Sequence, residues 1–265
     1  MKRGILISFL VCSLNFLFGQ NNSDDDEFAK LNLPNQWEKV FDDDCTGEWQ
    51  KKWFLDGVRA EVKNSNNGML FTAGPIDSDN ACNAVLWTKD SFRGDIKIEF
   101  DYIRTDTRNA NVNILYIQAT GTGTAPYSKD ISEWNNLRII PYMYSYFRNM
   151  NTLHISYAAF ENENSKGVDY IRVRKYPVKP GADFNKTTEI QPAIFQTGLF
   201  VPGITYKFIV IKSGTKLFFK VENKDISKLY SWDLSSVEPV TEGRVGIRHM
   251  HTRSAIYKDF KIFTR

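Results

Sequence analysis

Asp95-Ile96-Lys97-Ile98-Glu99-Phe100-Asp101-Tyr102-Ile103 alternates without a break: Ile96, Ile98, Phe100 and Tyr102 fall on one side, and Lys97, Glu99 and Asp101 on the other. A repeat of two is the signature of a half-buried β-strand. The same reading extends in both directions. Towards the C-terminus, Tyr206–Lys212 and Lys216–Glu222 flank Ser213-Gly214-Thr215, a short hairpin loop containing glycine. Arg244–Met250 and Tyr257–Phe263 close the chain as two more strands. In the middle lie the apolar run Val112–Gln118, then Leu153–Ala159 and Tyr170–Lys175; before them come Val58–Val62, Gly68–Thr72 and Asn83–Thr88. Roughly ten strands separated by turn-rich segments, with little helical periodicity, predict an all-β jelly-roll-like sandwich or a barrel.

Two connections are long for a compact domain. Thr120–Asn151 carries Trp134, Tyr142, Tyr144, Tyr146 and Phe147, and Pro177–Pro202 holds four prolines. A connection this rich in aromatics can bury them, which predicts an ordered loop lying over one face of the sandwich.

At the N-terminus, Lys2 and Arg3 precede a short apolar run to Phe18, and Gly19-Gln20 offers a cleavage point before an acidic, Asn-rich stretch. That order reads as a secretory signal peptide over residues 1–19, and it is too short for a membrane span. A lipid anchor at Cys12 is disfavoured by the bulky Val11 before it. The expectation is an exported protein, periplasmic or secreted, with a mobile, polar lead-in over residues 20–35 and one β-sandwich domain over residues 36–265. Loss of Lys2 and Arg3 brings the net charge from +3 to near neutrality, which gives no electrostatic reason to grip nucleic acid. Cys45 and Cys82 remain; in an oxidising compartment they either pair or stay as separate buried thiols, and sequence leaves both open.

Further motifs carry a resemblance. Val85-Leu86-Trp87, Leu153-His154-Ile155-Ser156-Tyr157, Arg172-Val173-Arg174-Lys175 and Gly243-Arg244-Val245-Gly246-Ile247-Arg248-His249-Met250, closing on Tyr257-Lys258-Asp259-Phe260, resemble the YesU-like proteins among the concanavalin-A-like lectin and glucanase jelly rolls. The chain departs from that pattern at Ala158-Ala159. The resemblance implies a two-sheet antiparallel jelly-roll sandwich, a sugar site on its concave sheet, and a setting of acidic polysaccharide degradation.

The chemistry narrows by elimination and by parity. Glucanases of this fold carry Glu-x-Asp-x-x-Glu; here Glu99-Phe100-Asp101 starts the pattern, but Arg104 stands where the second glutamate belongs. Glycoside hydrolysis normally needs a carboxylate pair, so Glu99 and Asp101 read as the solvated side of a strand. Asp42-Asp43-Asp44 is either a polar turn or part of a structural calcium site; no other cofactor is expected. What remains is basic and aromatic. His154 shares a strand face with Ser156, opposite Leu153, Ile155 and Tyr157; Tyr170, Arg172 and Arg174 oppose Ile171 and Val173; Arg248 opposes Val245 and Ile247. His249 and His251 lie near the strand end. Arginine takes a carboxylate bidentately, and tyrosine and tryptophan present flat faces to sugar rings.

The partner expected from this set is an acidic oligosaccharide or polysaccharide. The reaction expected is β-elimination on a uronic acid, giving a 4,5-unsaturated sugar. Loss of water at a chain end is favoured over chain scission, because a long aromatic loop makes a pocket rather than an open groove. His154, Tyr170, Arg174 and Arg248 are the catalytic candidates, while Trp134, Tyr142, Tyr144, Tyr146, Arg172, His249 and His251 are the substrate-binding ones. A non-catalytic carbohydrate-binding protein is the alternative, and a glycoside hydrolase the weaker one.

Overall fold

The structure, a computed structural model, describes residues 14–160 and 167–265, so residues 1–13 of the expected signal peptide lie outside the described residues. The chain divides after Gln36. In the first unit the described residues form helix α1 (Leu14–Leu31) and a 3₁₀ turn at Pro34–Gln36. The expected lead-in over residues 20–35 is therefore largely helical; Glu27, Ala29, Lys30 and Leu31 are all good helix formers. No described helix is long and apolar enough to cross a membrane.

The unit from Trp37 onward is a β-sandwich. Strands β1 (Glu38–Asp43), β2 (Trp53–Asp56), β3 (Glu61–Ser65), β4 (Gly68–Thr72), β5 (Ala84–Thr88), β6 (Phe92–Arg93), β7 (Ile96–Arg104) and β8 (Asn113–Gly121) precede the long aromatic connection. After it come β9 (Met150–Phe160), β10 (Asp169–Tyr176), β11 (Glu189–Phe195), β12 (Thr205–Ser213), β13 (Lys216–Glu222), β14 (Ser227–Asp233), β15 (Glu242–His249) and β16 (Ser254–Thr264). One sheet runs β14-β13-β12-β7-β16-β4-β3 with β1 on β16; the other runs β11-β10-β9-β8-β15-β5-β2 with β6 on β15. All pairings within them are antiparallel. This is the jelly-roll sandwich; the barrel is excluded because the two sheets stay separate.

The opening alternation places Ile96, Ile98, Phe100 and Tyr102 in the core between the sheets. Glu99 and Asp101 face away from it on the first sheet, where Glu99 pairs with Lys97 at 2.9 Å. The second sheet differs because it is buried on both faces. Leu115, Ile117, Leu153, Ile155, Val245 and Ile247 enter the main core. Val85, Trp87, Ile114 and Tyr116 point the other way, into a second apolar cluster closed by Ile131, Trp134 and Tyr146 from the aromatic connection. A strand covered on both faces reads as a continuous apolar run, which is what Val85-Leu86-Trp87 and Ile114–Ile117 show.

Several expectations change. Val58 lies in an exposed turn, and the strand begins at Glu61. The proline-bearing stretch contains helix α3 (Phe184–Thr188) and edge strand β11. Cys45 and Cys82 are both buried and unpaired; burial first, then Asp43, pushes the Cys45 thiol far up. The three aspartates border one small cavity, and each has a protein partner. Asp43 accepts from Trp53 Nε1 at 2.6 Å and the Cys45 amide at 3.0 Å, Asp44 accepts from Thr46, and Asp42 pairs with Lys39. No group of three acidic, histidine or cysteine side chains arranged for a metal occurs among the described residues.

Candidate functional site

Strand parity builds the site on the outer face of the second sheet. His154 on β9 stands opposite Tyr116 on β8 and Arg174 on β10. One pair further along β8, Ile114 stands opposite both Ser156 and Arg248, and Arg248 opposite Val85. Gly246 separates Tyr116 from Trp87 across β15. A Cβ on Gly246 would lie 2.3 Å from the Trp87 ring. Its absence lets Trp87 lie across β15 and stack on Tyr116, with centroids 5.2 Å apart.

A cover closes this face. It comprises a 3₁₀ stretch over Ile131–Arg138 and helix α2 (Met143–Asn149). Asp130 caps the first, accepting from the Ser132 amide at 2.9 Å, and ties it to β15 through Arg244 at 3.0 Å. Asp56, at the end of β2, anchors the rest. Its Oδ2 accepts from Arg138 Nε at 2.7 Å, Tyr146 OH at 2.9 Å and Trp87 Nε1 at 2.9 Å. Two of those three donors belong to the cover. Arg138 also stacks on Trp134, and Tyr146 on Trp87 and Tyr116.

Beneath the cover the polar inventory does not balance. Arg248 is fully buried. Its Nη2 donates to the Pro141 carbonyl at 2.8 Å, and its guanidinium lies over the Tyr146 ring and near the Tyr116 hydroxyl, yet Nε and Nη1 have no partner of good hydrogen-bond geometry. No carboxylate of the described residues lies within 4.0 Å of it. Both ring nitrogens of His154 and the Tyr176 hydroxyl are likewise buried and unpartnered. His154 packs between the rings of Tyr116 and Tyr176, at 5.6 and 4.8 Å. Burial first, then Arg174, Arg248 and Arg172, hold its pKa well below the usual histidine value, so it is neutral at neutral pH. Burial pushes Tyr116 up to about 12 and Tyr176 well above its ordinary value. Arg172 and Arg174 both reach Glu189, at 3.0 and 3.5 Å; Arg174 also donates to Thr188 and Asn185. Among the described residues, the face therefore carries a buried guanidinium without a carboxylate and unspent donors at Arg248 and His154. An unpaired buried polar group costs ~1–3 kcal/mol, more when charged, so this arrangement suits an anion bearing hydroxyl groups.

Comparison with known proteins follows the fold. A family profile described as "Domain of unknown function (DUF1961)" matches residues 47–262. The chain belongs to the DUF1961 family. No curated protein matches it. Among solved structures it is similar to a protein of unknown function with galectin-like fold from Bacillus subtilis, at 16% identity and TM-score 0.65, over 86% of this chain and 99% of that one. Lectin UEA-II complexed with galactose follows at 8% identity and TM-score 0.53, over 85% and 98%. The exoplasmic/lumenal domain of VIP36 in a Ca2+/Man3GlcNAc-bound form aligns at 13% identity and TM-score 0.51, over 81% and 84%. At these identities the likeness shows the galectin and legume-lectin type of jelly roll.

In this DUF1961 chain the expected residues divide. His154, Arg172, Arg174 and Arg248 do share the covered face. Trp134 and Tyr146 are buried in the cover's underside, Trp134 donating to the Ser128 carbonyl at 2.9 Å. Tyr142 and Tyr144 sit on its outside, 48% and 40% exposed and stacked on each other. Tyr170 lies beneath the Arg172 guanidinium and against Phe195, beyond a register shift that separates it from the pairs flanking His154. Tyr116 and Tyr176 are the tyrosines against the imidazole. His249 corrects the expectation: it faces the main core, stacks on Phe71 and bonds the Tyr257 hydroxyl at 2.7 Å, because adjacent strand residues point to opposite faces. His251 lies past the strand end, held by Asp77 at 2.8 Å and Asn111 at 3.0 Å. Asp56, Trp87, Tyr116, Arg138 and Tyr176 were not singled out from the sequence as site residues. The signal for Asp56 was a lone carboxylate ending the apolar Trp53-Phe54-Leu55 run; Arg138 had none.

Proposed function

We propose that the protein binds an acidic saccharide beneath the cover, with the carboxylate taken by Arg248 and the ring hydroxyls by His154 and Tyr176. The observation that carries this reading is the set of buried donors without partners at Arg248 and His154. A guanidinium closed off from water and from carboxylates is stabilised by an anion far more than by a neutral sugar. The lectin type of fold supports a saccharide over a smaller anion. Entry requires the cover to move, since the unpartnered atoms are closed to solvent. Within DUF1961 we place the chain with the YesU-like proteins, on the motifs around His154, Arg174 and Arg248. We further propose that residues 1–19 direct its export.

A second reading, β-elimination with loss of water at a chain end, is favoured by one specific feature. His154 shares the covered face with Arg248 and has both ring nitrogens unpartnered, so a neutral ring nitrogen is free to accept a proton beside a carboxylate held by Arg248. It would take the C5 proton of a uronate whose carboxylate is neutralised by Arg248, and Tyr176 or Tyr116 would deliver a proton to the departing C4 oxygen as water leaves. Incubation with oligouronides separates the readings. Saturable binding without new ultraviolet absorbance leaves a binding protein. Absorbance from a conjugated double bond, with loss of one water from an intact oligomer by mass spectrometry, establishes the dehydratase. Absence of any binding to oligouronides overturns both.

A further inference from the structure

Away from the covered face, a separate cavity of about 1090 Å3 is lined from both sheets, near the ends of β10 and β12. Leu153, Pro177, Leu234, Val237, Pro239 and Val240 supply its apolar walls. Three cations reach it: Lys175 from β10, Lys179 just beyond, and Lys212 from β12 on the other sheet. Lys212 is buried, and its ammonium donates only to the carbonyls of Val240 at 2.7 Å and Gly94 at 3.2 Å. Lys175 donates to Asn151 Oδ1 at 2.7 Å and to the Tyr176 carbonyl. Neither has a carboxylate within 4.0 Å among the described residues. Of the two acids on the wall, Asp95 is held by Ser213, the Gly214 amide and Arg265 and attracts Lys212 only from a distance. Glu238 attracts Lys175 only from a distance.

We infer that this cavity is a second binding site, for an organic carboxylate with an apolar body, its charge taken by Lys175 and Lys212. The volume lies just above the usual range of small-molecule sites, ~300–1,000 Å3. No aromatic ring lines it, so it lacks the flat faces on which sugars stack, and its branched aliphatic walls suit an alkyl chain. It shares no residue with the Arg248 site, and its fate is independent of the saccharide reading. Burial lowers Lys175 to about 8 and lowers Lys212 as well, because the distant Glu238 and Asp95 do not offset the loss of water around the ammonium groups. A bound carboxylate restores the charge, with Lys179, Lys212, Asp95 and Glu238 as the other charged groups on the wall. Affinity therefore falls as pH rises past the lysine's value.

Calorimetric titration of the whole protein with octanoate tests this, with octanamide as the neutral counterpart. The expected result is one saturable site for octanoate, about tenfold or more tighter than octanamide, weakened about tenfold by Lys175→Gln and similarly by Lys212→Met. Binding should also weaken between neutral pH and roughly pH 9.5, and oligouronides should not compete. Lys175 is part-exposed, so Lys175→Gln keeps the test valid should the buried Lys212 variant fold poorly. No saturable binding at millimolar octanoate, equal affinity for octanamide, or an unchanged Lys175→Gln variant would each overturn the proposal.

Discussion

Replacing Asp56 by alanine should do two things at once: destabilise the sandwich and loosen its cover. Asp56 and Arg138 are 1% and 0% exposed as side chains, and the carboxylate also receives Tyr146 and Trp87. Removing it leaves a guanidinium buried without a counter-charge, a change that typically costs ~3–5 kcal/mol. For a domain of this size about 2–4 °C is lost per kcal/mol, so Tm should drop by roughly 6–20 °C. Arg138→Met should cost less, because burial already raises the Asp56 pKa and the orphaned carboxyl can take up a proton. The double variant should then recover part of the Asp56→Ala loss, with a coupling of about 1–3 kcal/mol. Thermal unfolding of all four proteins gives the cycle. Amide hydrogen exchange should rise over residues 131–149 in Asp56→Ala before the rest of the sheet. A Tm loss under about 2 °C, or strictly additive variants, would show that Asp56 does not hold the cover.

Other outcomes follow from the same geometry. Gly246→Ala drives a Cβ into Trp87, so it should destabilise by about 1–3 kcal/mol and disturb the Trp87–Tyr116 stack, seen as a changed near-ultraviolet dichroism; an unaltered spectrum argues against the stack. His154 and His249 both titrate lower in the folded state, His249 at about 3, against ~6.5 unfolded. Below ~6.5 the unfolded chain binds protons that the folded chain refuses, so stability falls as pH falls, by about 1.4 kcal/mol per pH unit for each histidine. His154→Phe should flatten that slope by one histidine's share in denaturant titrations, and an identical slope would mean that His154 is charged when folded. Thiol titration of unfolded, unreduced protein should find Cys45 and Cys82 both free; an absent pair of thiols would contradict their placement.

The fold was readable where one face of a strand is wet. Asp95–Ile103 alternates because its sheet meets solvent on the outside. The second sheet gave weaker parity because the cover makes both of its faces apolar. The unbroken burial of Ala84–Thr88 appears in the sequence as a strand but not as a hint of a second core. Edge strand β11 was hidden by Pro192, which an edge tolerates. Parity put His154, Arg174 and Arg248 on one face correctly, since Leu153, Ile155, Val173 and Val245 fix the inward direction. The substrate-binding expectation for His249 ran against that parity, since its neighbour Arg248 already claims the outer face. The anchor was beyond reach: Asp56 and Arg138 are 82 positions apart, and no local pattern links a carboxylate closing a strand to an arginine in an irregular cover. Register shifts at Gln118 and Ala158, where φ turns positive, are equally silent in the sequence.

The Arg248 guanidinium, buried without a carboxylate among the described residues, is the proposed seat of an anionic sugar. The most direct test is a binding titration with a uronic-acid oligosaccharide and its carboxyl-reduced neutral counterpart, on the native protein and on Arg248→Met, with melting curves confirming that both are folded. The expected result is saturable binding of the acidic oligomer, at least about tenfold weaker binding of the neutral one, and loss of that preference in Arg248→Met. Equal affinity for the acidic and neutral oligomers, or a folded Arg248→Met protein that still prefers the acid, would contradict it.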